Sequence, residues 1–136
     1  MKIIKCGMDD VPELALMNKR LIDAEKSGNP MNIEELGERM RGFLGGEYSA
    51  YFFDAEGERI GYALVKNTAT PLYLRQFFIA ERHRRKHYGR QAFRLLMDRL
   101  GVDTIDVDVL PWNEAGRSFW KSCGFEEICV SMRYKG

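Results

Sequence analysis

Residues 73–100 constrain the fold most, because they change from the residues of a buried strand to those of an amphipathic helix across one short basic turn. Residues 73–80 are aromatic and aliphatic enough for a strand inside a sheet. Beyond the turn, Ala92 and Leu96 recur at the spacing that places them on one face of a helix. The sequence therefore predicts a strand that leads directly into a helix, with the basic turn at residues 84–90.

The basic turn is a candidate anion-binding site. The first backbone N–H groups of a helix have no partner within the helix and carry the positive end of its dipole, and Gly89 permits a close approach. A plainer interpretation is a solvated basic loop, since exposed Lys and Arg are common. The position at the carboxyl end of a strand favours a phosphate-bearing ligand. The candidate binding residues of the turn are Arg84, Arg85, Lys86, His87, Tyr88, Gly89 and Arg90.

Two ordered motifs in the second half of the chain carry a family resemblance. Arg84 and Gly89 match the first and last positions of the pattern Arg/Gln-x-x-Gly-x-Gly/Ala, while His87 replaces its first glycine. Residues 113–125 are similar to the pattern Asn-x-x-Ala-x-x-Phe/Leu-Tyr-x-x-x-Gly-Phe. With both motifs in this order, the chain resembles the GNAT superfamily of acetyl-CoA-dependent N-acyltransferases.

The resemblance implies a place for acetyl-CoA. In the family, two parallel strands diverge and the pantetheine arm lies between them against strand backbone, a role that falls here to the main chain of Phe77, Phe78 and Ile79. Their side chains are expected in the core. A backbone N–H of this strand is also a candidate donor to the oxyanion that forms when an amine attacks the thioester. Asn113 matches the family asparagine that contacts the pantetheine region, and a plain helix cap explains it equally well.

The family's catalytic acid and base have no direct counterpart here. Trp120 stands where the family has the tyrosine that protonates the departing thiolate, and an indole N–H has no useful acidity. The substitutes are Tyr73, Tyr88 or water, and each tyrosine is also explained as a packed aromatic. Because Tyr73 also occupies the place of the glutamate base of some members, a water chain is the expected proton route.

The expected activity is N-acetyltransfer from acetyl-CoA to a primary amine, of a small molecule or a protein, by direct attack. A catalytically silent acetyl-CoA-binding sensor is the alternative, because the family acid and base are missing. The acceptor is expected to enter beside the first two helices, whose acids attract a cation unless they only form a solvated face. These acids are Asp23, Glu25, Glu34, Glu35 and Glu38.

Composition narrows the remaining classes of protein. The 136 residues suit a single domain over residues 1–136, and 45% apolar with 30% charged residues is ordinary for a globular chain. A net charge of +1 argues against a nucleic-acid binder. Cys6, Cys123 and Cys129 follow neither a disulfide nor a zinc pattern, so no metal is expected. Without a signal peptide or a membrane-length apolar run, the sequence predicts a cytoplasmic protein that does not contact membranes.

Hydrophobic periodicity and turn residues predict an α/β fold with a mixed sheet of about six strands. Two helices precede the main sheet, and Asp9 or Asp10 is expected to cap the first. A crossover helix joins the strand at residues 72–80 to a parallel partner at residues 104–110. A further helix and a final strand at residues 125–134 complete the predicted order.

Overall fold

The computed structural model of the protein describes the backbone of residues 1–136 and the side chains of all except Arg85 and Lys86. Its sheet has five strands that lie side by side in chain order. The first four pair antiparallel, and the last two pair parallel. The strands are β1 (Lys2–Lys5), β2 (Tyr48–Ala55), β3 (Glu58–Lys66), β4 (Leu72–Ile79) and β5 (Ile105–Val107).

The helices begin where the sequence offers a suitable first turn. The first has Pro12 there, where the missing N–H costs no hydrogen bond. The second begins with a capping box, in which the Glu35 N–H donates to the Asn32 side chain at 2.8 Å and the Asn32 N–H donates back to Glu35 at 3.0 Å. The helices are α1 (Val11–Glu25), α2 (Ile33–Leu44), α3 (Tyr88–Leu100) and α4 (Glu114–Ser122), with short 3-10 helices at Met8–Asp10 and Glu81–Lys86.

Apolar side chains fill both faces of the sheet. On one face, α1 and α2 cover a cluster that includes Leu14, Met40 and Tyr62. On the opposite face, α3 and α4 cover a second cluster that includes Leu96 and Trp120. Burial of these side chains on two sides explains why the central strands are almost continuously hydrophobic.

β4 is paired with β3 along most of its length. Gly61 pairs with Ile79, and a Cβ atom at position 61 would collide with the carbonyl oxygen of Phe78. Only glycine fits at such a close approach of two strands. Near the other end, a register shift leaves Arg75 out of the pairing and reverses which face the following residues occupy. This bulge places Phe77 on the α3–α4 side of the sheet and Phe78 on the α1–α2 side.

The α/β class, the mixed sheet and the strand–helix–strand order are confirmed, but some details differ. Asp10 precedes α1, yet its carboxylate accepts from the N–H of Gly7 at 2.8 Å and caps the 3-10 helix instead. β5 is shorter than the predicted strand at residues 104–110. β4 and β5 therefore pair only from Leu72 with Ile105 to Leu74 with Val107, over a shorter length than the sequence predicted.

The predicted final strand at residues 125–134 is wrong for this structure. Over residues 126–136 the described chain contains no helix or strand, and every residue there is exposed. The sheet thus has five strands instead of about six. Alternating residues identify a segment that suits a sheet, but a strand forms only where a neighbouring edge satisfies its backbone groups.

Candidate functional site

The parallel strands β4 and β5 separate and leave a gap. They pair from Leu72 with Ile105 to Leu74 with Val107, and in the described chain no strand continues along this edge of β4. A cavity of about 520 Å³ opens beside the rest of β4. Its volume lies within the range of small-molecule and cofactor sites. The residues around it are Leu21, Ala24, Glu25, Phe77, Phe78, Ile79, Arg84, His87, Gly89, Arg90, Asn113, Ala115, Gly116, Phe119, Trp120 and Ser122.

The backbone of β4 turns alternate peptide groups toward this gap. The Ala80 N–H donates to the Ile60 carbonyl at 2.7 Å, so Ala80 and Phe78 face β3. Because consecutive residues of a strand alternate in direction, the peptide groups of Phe77 and Ile79 face the gap. The Ile79 carbonyl accepts from the Arg84 Nε at 2.8 Å. The N–H groups of Phe77 and Ile79 are thus directed toward the cavity side.

The side chains of these strand residues lie in the two cores, as expected from the sequence. The Phe77 ring stacks on Phe119 with centroids 5.9 Å apart and meets the edge of Trp120 at 5.2 Å. The Phe78 ring is buried on the other face, where the Arg84 guanidinium lies 5.8 Å from its centroid. Both rings border the cavity while their burial fixes the position of the backbone.

The basic turn consists of a 3-10 helix, one left-handed residue and the start of α3. His87, which replaces the family glycine, has φ 61° and ψ 15°. Histidine is among the residues that adopt this region more often than most, and glycine adopts it without steric cost. The side chains of Arg85 and Lys86 lie outside the described residues. His87, Gly89 and Arg90 line the cavity.

Gly89 has a packing role that the sequence did not reveal. A Cβ atom at this position would lie 2.9 Å from Cε1 of Phe119 on α4. The absence of a side chain therefore lets the start of α3 approach α4, as well as leaving its backbone open to the cavity. A larger residue at position 89 would disturb Phe119 before it reached any ligand.

Asn113 caps α4. Its Oδ1 accepts from the N–H of Gly116 at 3.0 Å, and a Cβ atom at Gly116 would collide with the Asn113 amide. The cap interpretation of Asn113 is therefore correct for this structure. The same residue lines the cavity, so its remaining amide group is available at the cavity wall.

Trp120 is the centre of an aromatic cluster. It is 9% exposed and makes edge contacts with Phe93 at 5.6 Å, with Phe119 at 4.8 Å and with Phe125 at 5.0 Å. Such contacts are the preferred geometry of aromatic pairs. The indole is therefore a packing element that also forms part of the cavity wall.

The two candidate tyrosines lie away from the cavity wall. The Tyr73 hydroxyl donates to Asp108 at 2.8 Å, and burial, with help from that carboxylate, raises the pKa of Tyr73 to about 12. The Tyr88 hydroxyl donates to Glu56 at 3.3 Å, and its pKa is also raised, by desolvation first and by Glu56 second. Neither tyrosine is among the residues that line the cavity. Their roles as catalytic acids remain predictions.

Among the predicted acids, Glu25 borders the cavity. It is half-buried at the end of α1, and burial raises the pKa of its carboxyl above the usual value. Glu34, Glu35 and Glu38 are exposed on α2, where Glu35 completes the capping box. Asp23 is also exposed and forms an ion pair with Lys19 at 3.8 Å. The structure thus separates Glu25 from the solvated acids.

A buried polar network, which the hydrophobic pattern does not predict, lies on the α1 side of β4. The Tyr62 hydroxyl donates to Gln76 at 2.8 Å, and Arg39 donates to Asn18 at 3.2 Å. Burial first, and the Glu25 carboxylate second, hold the pKa of Tyr62 well above its usual range. The sequence offered one sign of this network, because Gln76, next to Arg75, interrupts the aromatic and aliphatic residues of β4. Glu25 therefore connects this network electrostatically with the cavity.

Metal ligands, membrane-spanning helices and cysteines are further features that bear on function. Within the part of the chain whose side chains are described, no three His, Cys, Asp or Glu residues converge as a metal ion would require. No helix of the described residues is long and apolar enough to cross a membrane. Cys6, Cys123 and Cys129 are free thiols.

Comparison with known proteins supports one family. The sequence profile of the acetyltransferase (GNAT) family matches residues 17–125. No curated protein matches the chain. Among solved structures, a possible acetyltransferase from Clostridium difficile 630 is 14% identical, with 99% of this chain and 96% of that chain covered and a TM-score of 0.79.

Two aminoglycoside-modifying enzymes also share the fold. The aminoglycoside antibiotic 6'-N-acetyltransferase from Acinetobacter haemolyticus is 13% identical, covers 100% of this chain and 98% of its own, and has a TM-score of 0.76. AAC(6')-Iy, solved with the bisubstrate analogue CoA-S-monomethyl-acetylneamine, is 15% identical, with 99% and 97% coverage and a TM-score of 0.76. These alignments extend into the C-terminal residues, since they cover nearly the whole chain.

Proposed function

This chain belongs to the acetyltransferase (GNAT) family, and on that premise we propose that it transfers the acetyl group of acetyl-CoA to a primary amine by direct attack. The observation that carries the proposal is the gap between β4 and β5, toward which the peptide groups of Phe77 and Ile79 are directed. A small-molecule amine is the favoured acceptor class, because two structural neighbours are aminoglycoside N-acetyltransferases.

Acetyl-CoA binds with its pantetheine arm along the open edge of β4. The N–H groups of Phe77 and Ile79 donate to the arm as they would to a neighbouring strand. The pyrophosphate lies at the start of α3, where free backbone N–H groups and the helix dipole favour an anion. Arg84 and Arg90, both at the cavity, add electrostatic attraction that salt screens.

Transfer proceeds by addition and elimination at the thioester carbon. The neutral amine attacks that carbon, the carbonyl electrons move to oxygen, and a backbone N–H of β4 that faces the gap stabilises the oxyanion. The oxyanion then re-forms the carbonyl, the C–S bond breaks, and CoA departs as a thiolate. The nitrogen loses its remaining extra proton, so the products are an amide, CoA and one released proton.

The thiolate takes its proton from water. A thiol has an ordinary pKa near 8.5, so a thiolate is a tolerable leaving group without an acid. Tyr73, with a pKa raised to about 12 and its hydroxyl directed to Asp108, holds its proton more tightly than a thiol does. Trp120 supplies packing instead of a proton. The proposal therefore needs no protein acid.

Glu25 receives the acceptor. Most amines arrive as ammonium ions, and one proton must leave before the nitrogen can attack. Glu25 is the predicted acid that borders the cavity, and burial raises the pKa of its carboxyl above the usual value, which makes it a better proton acceptor than an exposed carboxylate. The carboxylate first attracts the ammonium ion and then accepts its proton, which passes to solvent water.

A thiol-release assay with acetyl-CoA and a panel of primary amines, including kanamycin, tests the activity. Calorimetry with CoA runs beside it. CoA binding together with amine-dependent thiol release is the expected result. CoA binding without turnover would support the alternative, a silent acetyl-CoA sensor, which the tryptophan at position 120 favours. Absence of CoA binding would overturn both.

Glu25→Gln tests the proton acceptor, with Glu34→Gln on the exposed face of α2 as the matched control. We expect the Glu25 variant to lose about 100-fold in acceptor kcat/KM at neutral pH, with CoA affinity unchanged, and the control to match the wild type. Equal kinetics for both variants would contradict the role of Glu25.

The same substitution has a predictable effect on stability. The folded chain keeps the proton of Glu25 to a higher pH than the unfolded chain does, since burial raises its pKa. Ionisation therefore lowers stability as pH rises above the ordinary value of 4.5. Glu25→Gln should raise Tm at pH 7 and have little effect on Tm at pH 3, measured by circular dichroism. A lower Tm at pH 7 would show that the carboxylate stabilises the fold instead.

A further inference from the structure

Two arginines lie close together on the α1–α2 side of β4. Arg39 of α2 and Arg75 of β4 both pack on the Phe43 ring, with their guanidinium carbons 5.5 Å and 4.9 Å from its centroid. Arg75 also lies within 3.5 Å of the Tyr48 hydroxyl. Arg75 is the residue that the bulge of β4 leaves out of the strand pairing. The bulge and the Phe43 ring thus hold two positive charges at one place, here called the arginine pair.

No described carboxylate forms an ion pair with either member of the arginine pair. Arg39 donates to the neutral amide of Asn18 at 3.2 Å, and its Nε atom is buried without a hydrogen-bond partner among the described residues. Burial first, and Arg75 second, lower the pKa of Arg39. A partly buried guanidinium beside a second positive charge is destabilised, and a bound anion would relieve both charges.

The arginine pair lies next to the cavity. Arg75 stands two residues before Phe77, whose peptide group faces the gap, and two residues of a strand span roughly 7 Å. The buried Tyr62 hydroxyl is near both places. Beyond the effect of burial, Glu25 at the cavity raises the pKa of Tyr62, and Arg39 lowers it. An acid at the cavity and the arginine pair beside it are therefore close enough for one small molecule to contact both.

We propose that the acceptor is a small amine that also carries a carboxylate, which the arginine pair binds while Glu25 receives the ammonium group. A guanidinium donates two parallel hydrogen bonds to the two oxygens of a carboxylate. A zwitterion of this kind presents a complementary charge to each end of the site, whereas an aminoglycoside brings no anion to the arginine pair. The inference rests on the proposed acetyl transfer and names the class of its acceptor.

Thiol release with matched acceptors tests this class. The acceptors are β-alanine, γ-aminobutyrate and ε-aminocaproate, each beside its carboxamide, so that the members of a pair differ in the carboxylate. In the best pair, kcat/KM should be about 10-fold or more higher for the acid, because hydrogen bonds between charged groups are lost in the amide. Kanamycin should be a poorer acceptor than the best acid. Equal values for acid and amide in every pair would overturn the inference and leave the proposed acetyl transfer standing.

Removal of one charge from the arginine pair tests the residues. Arg39→Gln and Arg75→Gln should each lower the ratio of kcat/KM between acid and carboxamide by about 10-fold. Arg41→Gln, at an exposed position of the same helix as Arg39, is the matched control and should keep the wild-type ratio. A damaged fold lowers kcat/KM for both acceptors alike and leaves their ratio unchanged. An unchanged ratio in both Arg39→Gln and Arg75→Gln would overturn the role of the arginine pair.

A binding measurement distinguishes failure of this inference from failure of the proposed function. In the presence of CoA, NMR follows the side-chain Nε–H signals of Arg39 and Arg75 while each acid or carboxamide is added. Shifts of these signals with an acid and not with its carboxamide are expected. If such shifts occurred and no amine released thiol, the carboxylate site would stand and the acetyl transfer would be wrong. Signals that no acid shifts would overturn the inference, whatever the turnover.

Discussion

The two edges of β4 differ in the length over which they are paired with a neighbouring strand. The β3 edge is paired from Lys66–Tyr73 to Gly61–Ile79, interrupted by one bulge. The β5 edge is paired only over Leu72–Leu74 in the described sheet, and beyond it lies the cavity. One edge of β4, here called the closed edge, is therefore hydrogen-bonded to β3, and the other, the open edge, is largely unpaired. The candidate site exists because the pairing of β4 with β5 stops after a few residues, while pairing with β3 fixes the position of β4.

The side chains and the backbone of β4 contribute differently to packing and to the candidate site. The rings of Phe77 and Phe78 lie in different cores, and both serve packing. Their peptide groups differ in function, since that of Phe78 faces β3 and that of Phe77 faces the gap. Two adjacent residues of the same type thus provide a natural pair for testing the two edges.

The largest expected effect lies on the closed edge. Gly61→Ala forces a Cβ atom against the Phe78 carbonyl and should lower the free energy of unfolding by about 3 kcal/mol, measured with urea. Gly42→Ala, in α2 with open space around it, is the control and should raise stability by about 1 kcal/mol. If Gly61→Ala were as stable as the wild type, the close pairing of β3 with β4 would be wrong.

Substitutions of Trp120 test the aromatic wall of the cavity beside the open edge of β4. Trp120→Tyr and Trp120→Phe should each lower the free energy of unfolding by about 2 kcal/mol, because both lose contacts with the surrounding aromatic rings. The two variants should turn over acetyl-CoA at about the same rate, since water protonates the thiolate in the proposed mechanism. If the tyrosine variant were about 100-fold faster than the phenylalanine variant, a phenol at this place would be an effective acid.

A pair of backbone substitutions tests each edge separately. Replacing Phe77 or Phe78 by phenyllactic acid keeps the ring and removes one N–H. At Phe78 this change should lower the free energy of unfolding by about 1 kcal/mol and leave CoA affinity unchanged. At Phe77 it should preserve stability and weaken CoA binding by up to about tenfold, measured by calorimetry. If loss of the Phe78 N–H weakened CoA binding and loss of the Phe77 N–H did not, CoA would lie on the β3 side of β4, which would contradict the account.

The smallest effect concerns the turn beyond the open edge. His87→Gly should raise the free energy of unfolding by about 1 kcal/mol, because glycine adopts positive φ without the steric cost. Lys26→Gly, at a left-handed residue that ends α1, is the control and should give a similar gain. CoA affinity should not change in either variant, since the turn offers backbone groups. A large loss of affinity in His87→Gly alone would assign a binding role to the imidazole.

Much of the fold was predictable because local signals agreed with it. Helical spacing identified α3, and the length of the crossover identified β4 and β5 as a parallel pair. The point at which that pair ends was not predictable, because it depends on how far two distant strands stay in register. The prediction of a final strand was wrong for a related reason. Alternation shows that residues 125–134 suit a sheet, but it does not say which edge receives them.

For the site, sequence motifs anticipated most of the residues that the structure brings to the cavity. Phe77, His87 and Asn113 lie together there, although they come from three separate segments. The packing role of Gly89 was hidden, because Phe119 approaches it only in the folded chain. Likewise, nothing in the sequence separates Glu25 from the exposed acids, since burial is a tertiary property.

Hydrogen exchange at single amides of β4, followed by NMR with and without CoA, tests the two-edge account most directly. Without CoA, the N–H groups of Phe77 and Ile79 should exchange faster than those of Phe78 and Ala80, which face β3. Addition of CoA should slow exchange at Phe77 and Ile79 and leave the other two nearly unchanged. Bound CoA that leaves exchange at Phe77 and Ile79 unaltered would contradict the account, because the open edge would then not be where the cofactor lies.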